Sequence, residues 1–384
     1  MNEKKLEQLL SLEENGEDEM KKEDNAGENG DISLAKKLKK SLQSQINKRV
    51  FRTIFLMILG TALFLFLVSV SFDYLYYNPK EASRYIEAGE SDDYTYSDFH
   101  FLMDIYTGLH YTGKRYYQLE ERSEKEGFGS YKMYAKIQDV FEPLHIDGKY
   151  NTVFEIKRNR LSVENLSDEY PLARYINDFY NDSESDIYDY VSDLLDVDED
   201  VIDEVEKLPE SAVIYATISF EESLSLEDTL DFIRKYPESE FRWIAMDSDV
   251  QFLGGSFDGI SLSAAIGYPL TDEADALYPN LLLNHLDEDI TADQLAQCYL
   301  SRLKIMYDNP EFLKIVERES NSYAYPSRRK MEQLEDRFAE IEEKGLWAIG
   351  LYGRIAKEDF LVMVETGEIP YANIKDAKLS VLSK

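Results

Sequence analysis

Residues 53–72 form a run of twenty without a charged side chain, and thirteen of them are Leu, Ile, Val or Phe. An α-helix of this length rises about 30 Å, which is the thickness of a bilayer's hydrocarbon core. Those thirteen side chains together favour insertion by about 4 to 8 kcal/mol. The hydroxyls of Thr53 and Thr61 oppose insertion only weakly, because they can bond to carbonyls of their own helix. The sequence therefore predicts one transmembrane helix.

The charges on its two flanks predict which way this helix points. Seven basic residues and no acidic residue occupy positions 32–52, namely Lys36, Lys37, Lys39, Lys40, Lys48, Arg49 and Arg52. Acidic residues outnumber basic ones at positions 73–93. Because basic flanks stay in the cytoplasm, we expect a cytoplasmic N-terminus and an extracytoplasmic part after the span, in a single-pass protein of the cell membrane.

A cleavable signal peptide is the competing interpretation, since Ser69-Val70-Ser71 has the small-x-small form of a cleavage site. A signal peptide has an apolar core of about 7–15 residues behind a short basic region. Here the core has twenty residues and fifty-two residues precede it. We therefore expect an uncleaved anchor.

The net charge of −34 belongs to the part after the span. Residues 1–31 carry 4 basic and 11 acidic groups and residues 32–52 carry 7 basic groups, so the two segments cancel. So acidic a surface is a poor partner for nucleic acid. Cys298 is the single cysteine, so the chain has no disulfide framework, and its apolar helical neighbours predict a buried position.

Two short helical patterns precede the span. Leu6, Leu9 and Leu10 have i, i+3, i+4 spacing within residues 1–31, an acidic tail that we otherwise expect to be disordered. Residues 32–52 predict a basic amphipathic helix that runs unbroken into the span. Its apolar positions recur every four residues, at Leu34, Leu38, Leu42, Ile46 and Val50. Such a helix can lie on anionic membrane lipid or bind a partner protein.

Residues 73–207 begin with a predicted short helix at 80–89 and continue with strands. Residues 130–141 alternate, and the face made of Tyr131, Met133, Ala135 and Ile137 is the apolar one. Two more strands are predicted at 152–156 and 160–163, with a turn near Arg158-Asn159.

An acidic helical bridge is predicted over residues 170–207. Within it, Asp196, Asp198 and Asp200 have the spacing that opens a calcium-binding loop. Val201 and Lys207 occupy the positions where that loop needs its glycine and its closing glutamate. We therefore expect a solvated helix face here and no metal site.

Residues 208–384 show a strand–helix–strand pattern twice. The predicted elements are strand 213–220, helix 225–235 and strand 241–246, then strand 346–355, helix 357–366 and strand 377–382. Two such units in one antiparallel sheet make the ferredoxin-like arrangement. The insertion at 247–345 contains predicted helices near 291–309 and 327–344. The predicted fold class is α+β, with a single transmembrane helix and extracytoplasmic α+β domains, the C-terminal one ferredoxin-like with a large helical insertion.

No group of residues typical of catalysis, of cofactor binding or of metal binding stands out. The sequence has no GxSxG elbow, no GxxxxGK phosphate loop and no HExxH. His100 and His110 lie in an aromatic-rich stretch, where we expect surface or half-buried histidines rather than metal ligands. The glycine-rich residues 254–259 predict a loop or hairpin, with a ligand-contacting loop as the alternative. We expect a protein that is not an enzyme and needs no cofactor.

The layout resembles the membrane-anchored sigma factor regulators of Gram-positive bacteria, which have N-terminal and C-terminal sigma-regulator domains. The matching segments are KKLKKSLQSQINKRVFRTI at 36–54, NPKEASRYIEAGE at 78–90, SYKMYAKIQDVF at 130–141, VIYATISFEESLSLEDTLDFI at 213–233 and LWAIGLYGRIAKEDFLVMVETGEIPYANIKDAKLSVL at 346–382. Residues 73–207 would correspond to the N-terminal type of region and residues 208–384 to the C-terminal type.

This resemblance implies an anti-sigma factor, in which a cytoplasmic segment holds an extracytoplasmic-function sigma factor at the membrane while the outer part monitors the envelope. The chain departs from the many anti-sigma factors that carry a zinc-binding domain, because it has no paired cysteines. Its partner-binding anchors would be the apolar residues of the two short helices, Leu6, Leu9, Leu10, Leu34, Leu38, Leu42 and Ile46. The alternative is a membrane-anchored binding or scaffold protein of the cell wall, in which the basic segment only sets the topology.

Overall fold

The computed structural model describes residues 31–87, 96–127, 129–142, 150, 152–164, 199–248, 258–262, 269–283, 290–317 and 330–379. These residues form an α+β structure with two antiparallel sheets, and the described part of the chain contains nine helices and nine strands. The chain divides into two units, Met1–Val70 and Ser71–Lys384, and we call the second the large unit. The sequence-based boundary at residues 207/208 falls within the large unit.

The helix α1 (Asp31–Leu75) contains the whole predicted span. Its stretch Lys39–Ser71 is long and apolar enough to cross a membrane, with a mean hydropathy of 2.5 over its most apolar window. The helix is continuous because it contains no proline and one glycine, Gly60. The prediction that the basic segment and the span form one unbroken helix is confirmed.

A four-stranded antiparallel sheet follows in simple chain order, made of β1 (Lys114–Gly127), β2 (Ser130–Asp139), β3 (Thr152–Lys157) and β4 (Leu161–Glu164). The side chains of β2 alternate between half-buried and buried, and the predicted apolar face is the buried one. Strands β3 and β4 turn through Arg158 and Asn159, whose φ angles are 49° and 61°. Two successive left-handed residues give the tight turn that matches the twist of a hairpin.

The helix α2 (Asp98–His110) lies between the two sheets, with contacts to β1 and to a strand of the second sheet. Twelve of its thirteen residues are buried. Its N-terminus is capped by Ser97, whose hydroxyl accepts a hydrogen bond of 3.3 Å from the His100 amide. Because both sheets pack on α2, they share one continuous hydrophobic core.

The second sheet has five strands in the order β7-β6-β8-β5-β9, all antiparallel. The strand β5 (Ala212–Ser225) leads through α4 (Leu226–Lys235) to β6 (Glu240–Met246). The second strand–helix–strand unit consists of β8 (Trp347–Ala356), α9 (Lys357–Glu365) and β9 (Tyr371–Leu379). The predicted helix start at residues 225–228 is confirmed, because the Ser225 hydroxyl accepts from the Asp228 amide at 3.1 Å.

The described residues of the insertion between β6 and β8 form a short strand and four helices: β7 (Gly259–Ser261), α5 (Asp272–Leu277), α6 (Ala292–Tyr307), α7 (Pro310–Glu317) and α8 (Lys330–Lys344). Thr291 and Gln294 form a reciprocal capping box at the start of α6. Both predicted helices of this insertion are present, as α6 and α8, whereas α7 begins at Pro310, just beyond the predicted end of the first helix, and was not predicted. The remaining helix, α3 (Glu199–Glu206), precedes β5 and lies at the end of the predicted acidic bridge.

Residues 76–87, which we call the strap, connect α1 to the rest of the large unit without regular secondary structure. The prediction of a helix at 80–89 is wrong for its described residues, because the strap makes turns at 79–80 and 84–85 and pairs with other segments at Ala82 and Ile86. Ala82 pairs with Ser97 in an isolated antiparallel bridge, and Ile86 pairs in the same way with Leu270 of the insertion. Pro79 interrupts helical hydrogen bonding at this point.

The last strand also differs from its prediction. It begins at Tyr371 rather than near residue 377 and ends at Leu379, so it starts six residues earlier. The register of β9 with β5 shifts between Tyr215 and Ala216, which marks a β-bulge. The bulge breaks the alternation of side chains that a strand pattern needs, so the sequence shows only the end of this strand.

Candidate functional site

The predicted partner-binding anchors fall into three groups. Leu6, Leu9 and Leu10 lie outside the described residues. Leu34 and Leu38 lie within the first turns of α1. Leu42 and Ile46 lie further along α1 and are 56% and 55% exposed, so their side chains are available to a partner.

Helical geometry decides whether these anchors can act together. Each step of four residues advances 40° around an α-helix of 3.6 residues per turn, so Leu34 to Ile46 covers an arc of about 120°. An apolar stripe of about this width is what a helix buries in a partner's groove. The opposite side of the same turns carries Ser44 and Asn47. Helical geometry therefore puts these four sequence positions on one face of α1.

The residues predicted to set the topology all belong to α1. The side chains of Lys39, Lys40, Lys48, Arg49 and Arg52 are exposed. Lys36 and Lys37 lie within the first turns of the helix. All seven precede the apolar segment, as the orientation rule requires of a cytoplasmic flank.

The apolar segment of α1 keeps its polar groups satisfied locally. The Thr53 hydroxyl donates to the Arg49 carbonyl and the Thr61 hydroxyl to the Met57 carbonyl, each at 2.9 Å. This is the intrahelical bonding expected from the sequence, and it removes the cost of placing a hydroxyl among lipid chains. Large apolar side chains cover the same segment and stay exposed, as in Phe64, which is 65% exposed.

A cluster of buried charges lies in the large unit where α2, β7, α6 and α8 meet. Asp258 is fully buried, and its carboxylate accepts a 3.0 Å hydrogen bond from the Tyr299 hydroxyl. His110 Nδ1 lies 3.2 Å from the other carboxylate oxygen. Arg337 Nε donates to the Tyr299 oxygen at 3.0 Å and lies 3.7 Å from Asp258.

The same arginine extends the cluster to the surface side of α8. Arg337 Nη1 donates to Glu340 at 2.7 Å, and the Ser248 hydroxyl donates to the same carboxylate oxygen at 3.0 Å. Burial opposes the charge of Arg337, but Tyr299 and Asp258 outweigh it and raise the pKa of the guanidinium. Burial, followed by the charge of Asp258, holds the pKa of Tyr299 well above its usual range. The groups therefore face one another, and the arrangement fits a structural tie between four elements.

A second set of buried polar groups lies beside this cluster. Arg302 is buried and donates to the carbonyls of Leu281 and Ser261, at 3.1 and 2.8 Å. The cavity lined by Arg302, Arg115 and Asp104 has a volume of about 10 Å³. That space accommodates about one water molecule. It is too small for a substrate.

Both histidines of the aromatic-rich stretch are buried, contrary to the expectation of surface or half-buried positions. His100 is 3% exposed and His110 is 9% exposed. The ring of His100 shares a short hydrogen bond with the Tyr116 hydroxyl. Burial lowers the pKa of His100 to about 3, so the ring is neutral in the folded protein.

The structure tests the other predicted sites in part. Within the described ranges, no group of three or more His, Cys, Asp or Glu side chains is placed to hold a metal ion. Asp196 and Asp198 lie outside those ranges, and Asp200 belongs to α3. Of the glycine-rich residues 254–259, only the last two are described, and Gly259 begins β7. Cys298 is buried as predicted.

No motif in the sequence predicts the Asp258 cluster, because its members come from positions 110 to 340. Two residues are only weak indications of it. Gly259 packs so closely on Trp243 that an added Cβ would lie 2.0 Å from the ring, which explains a glycine beside Asp258. Arg337 is a basic residue in the interior of an acidic helix, α8, where it pairs with Glu340 one turn later.

Comparison of the chain with protein-family models, with curated proteins and with solved structures finds no match. The resemblance to the sigma factor regulators therefore remains a prediction from the sequence.

Proposed function

We propose that this protein is a single-pass membrane anti-sigma factor, which sequesters an extracytoplasmic-function sigma factor through its short cytoplasmic segment and responds to the state of the envelope through the large unit. The observation that carries the proposal is the helix α1, which joins a basic segment with exposed Leu42 and Ile46 to an apolar segment long enough to cross a membrane. One rigid element would thus reach from the partner-binding face to the far side of the bilayer.

The orientation is part of the proposal. The N-terminus would be cytoplasmic and the large unit extracytoplasmic, because the basic side chains of α1 all precede the apolar segment. The acidic composition of the large unit suits an exported domain that stays soluble. Trypsin added to intact cells should digest the large unit. If the large unit survives although trypsin can reach the outer face of the membrane, the proposed orientation is contradicted.

The C-terminal half of the large unit would be a ferredoxin-like domain. Leaving β7 aside, the sheet order β9-β5-β8-β6 with a helix after β5 and another after β8 has the connectivity of two split β-α-β units. The helices and short strand between β6 and β8 would be an insertion into that domain. The experimental structure of the large unit, with β8 paired to both β5 and β6, is the measurement that tests this assignment.

We propose a regulator rather than an enzyme because the buried charged side chains serve one another. Asp258, Tyr299, Arg337 and Glu340 contact one another, and the cavity beside Arg302 has a volume of about 10 Å³. A catalytic site needs its acid, base or nucleophile to face a substrate-sized space. No cofactor enters the proposed function.

The partner-binding face is tested by a matched pair of double variants of the full chain. Leu42→Asp with Ile46→Asp places two charges on the apolar face, and we expect it to abolish co-purification of the sigma factor, a loss of at least about a hundred-fold in affinity. Ser44→Asp with Asn47→Asp makes the same charge change on the opposite, polar side of the same turns and should leave binding unchanged. Anchors in residues 1–31, Leu6, Leu9 and Leu10, contribute separately to the same contact.

Two results would contradict the proposal. If both double variants retain the sigma factor, the apolar face of α1 is not the binding surface. If the unaltered chain retains no sigma factor while remaining in the membrane, the basic segment serves only as a topology signal, as a cell-wall binding or scaffold protein would require.

A further inference from the structure

Two buried arginines of the large unit bond only to backbone carbonyls. Arg302 of α6 is 3% exposed and donates to the carbonyls of Leu281 and Ser261, at 3.1 and 2.8 Å. Arg115 of β1 is also buried and donates to the carbonyl of Glu142. Within the residues that the structure describes, neither guanidinium forms an ion pair with a carboxylate. A buried charge without a counter-charge is costly, so this part of the core calls for a further anionic group.

Both guanidinium groups line one small cavity, where α2, β1, β7 and α6 meet. Its other charged walls are Lys114 and Asp104, and Gly108 of α2 adds a wall without a side chain. Lys114 is paired with Asp139, at a distance of 3.4 Å. The Nη2 of Arg302 makes no hydrogen bond to the described residues, so this guanidinium retains donors for a ligand.

The charges around the cavity leave an excess of one positive charge. Lys114, Arg115 and Arg302 contribute three positive charges. Asp104 of the cavity wall and Asp139 beside Lys114 contribute two negative charges. The cavity has a volume of about 10 Å³, the space of about one water molecule. A monovalent, monatomic anion therefore matches both the charge and the size, whereas phosphate, sulfate and carboxylates are too large.

We propose that this cavity binds one halide ion, chloride being the abundant one, through N–H groups of Arg302 and Arg115. The ion neutralises the excess buried charge and accepts charge-assisted hydrogen bonds, which are stronger than those to a neutral water molecule. It ties β1 of the four-stranded sheet to α6 of the insertion, since α2 contacts both of these elements. Asp104 repels the ion and therefore limits its affinity.

Gly108 allows the cavity to be filled without a change of charge. A Cβ at this position would lie 3.3 Å from the Ser261 Cβ and 3.6 Å from the Arg302 Nη1. The methyl group of Gly108→Ala therefore takes up space beside the guanidinium. Alanine is also a better helix former than glycine, so a loss of anion binding in this variant would not come from a weakened α2.

Thermal unfolding of the full chain in detergent micelles measures the binding. At constant ionic strength, replacing gluconate by chloride at about ten times the dissociation constant should raise the unfolding temperature by about 2 to 4 °C. Bromide should act as chloride does. The ionic strength is held constant because screening of the net charge of −34 also changes the stability.

Three variants separate a bound ion from general effects of salt. Gly108→Ala should lose the dependence on chloride. Gly60→Ala is the matched control in α1, with no heavy atom within 4 Å of the added Cβ, and should keep it. Asp104→Asn removes the repelling charge and should tighten chloride binding at least about ten-fold. Because partial unfolding cannot cause a gain of affinity, Asp104→Asn tests the site even if Gly108→Ala folds poorly.

A crystal of the full chain grown with bromide locates the ion directly. The anomalous scattering of bromide should give one peak in the cavity, in contact with Arg302 and Arg115. If no peak appears there, the cavity holds a water molecule only and the proposal is wrong. It is also wrong if chloride and gluconate give equal unfolding temperatures, or if a folded Gly108→Ala variant keeps the full dependence on chloride.

Discussion

The helix α1 and the large unit place the same kinds of side chain in opposite surroundings. In α1, Leu63 and Phe64 are 58% and 65% exposed. In the large unit, Leu303 and Phe154 are completely buried. Large apolar side chains exposed along a whole helix require an apolar solvent, whereas a buried core makes its own. The contrast is that expected between a membrane helix and a water-soluble fold.

Polar groups show the same division. The hydroxyls of Thr53 and Thr61 in α1 bond to carbonyls four residues earlier in their own helix. In the large unit, Trp243 Nε1 donates to the Gly108 carbonyl and the Tyr352 hydroxyl to the Asp139 carboxylate, contacts between residues 135 and 213 positions apart. The helix is thus specified locally, while the large unit depends on long-range pairing.

The largest effect is expected from substitutions that place charges in the apolar segment of α1. Replacing Leu59 and Leu63 by arginine should raise the free energy of membrane insertion by about 6 to 8 kcal/mol, which offsets most of what the apolar run supplies. We expect the chain to leave the membrane fraction on carbonate extraction. Replacement of the same two residues by isoleucine is the control. A double arginine variant that stays fully integrated would show that α1 is not the element that anchors the chain.

The same substitution in both regions sharpens the comparison. Leu303→Ala should destabilise the large unit by about 2 to 5 kcal/mol, because it leaves a cavity in the core where the α6 side chain was packed. Leu63→Ala should change the free energy of unfolding of the large unit by less than about 0.5 kcal/mol. Denaturant unfolding in detergent, followed through the fluorescence of the buried Trp243, measures both. Equal effects of the two variants would mean that α1 and the large unit unfold together.

Prediction from sequence succeeded where the pattern is local. The apolar run of α1, the alternation in β2 and the Ser225 cap are all visible within a few residues. The helix α2 was missed because a helix buried on all sides has no polar stripe to reveal its period. The strand β1 was missed since its buried part is short and a register shift interrupts it between Gln118 and Ser123.

The candidate site shows the same limit. The anchors Leu42 and Ile46 and the basic residues before the span follow from spacing and charge, and the structure places both on α1. The Asp258 cluster could not be predicted, because it joins His110, Tyr299 and Arg337 from three helices far apart in the chain. The helix predicted at 80–89 was wrong because the hydrogen bonds of its described residues to residues 96–98 and 269–271 are invisible to local propensity.

The smallest expected effect is a pH dependence of stability that the large unit has and the helix α1 lacks. The folded large unit holds His100 neutral, with its pKa lowered by burial to about 3 against an ordinary 6.5. A lowered pKa means that the unfolded chain binds the proton more tightly. Stability is therefore complete above about pH 6.5 and declines as the pH falls, by about 2 kcal/mol at pH 5. The helix α1 contains no histidine, so its insertion should not follow this dependence.

Asp98 acts in the opposite direction over the same range, because burial raises the pKa of its carboxyl to about 6, so that the folded state binds this proton more tightly. The His100 effect is therefore measured by denaturant unfolding in an Asp98→Asn background, where that compensation is absent. His100→Asn retains an acceptor for the Tyr116 hydroxyl but cannot titrate, and it should remove most of the loss between pH 7 and pH 5. In acid, His100 gains a proton when the large unit unfolds. If the free energy of unfolding depends equally on pH with His100 and in the His100→Asn variant, another group causes the acid sensitivity of the large unit.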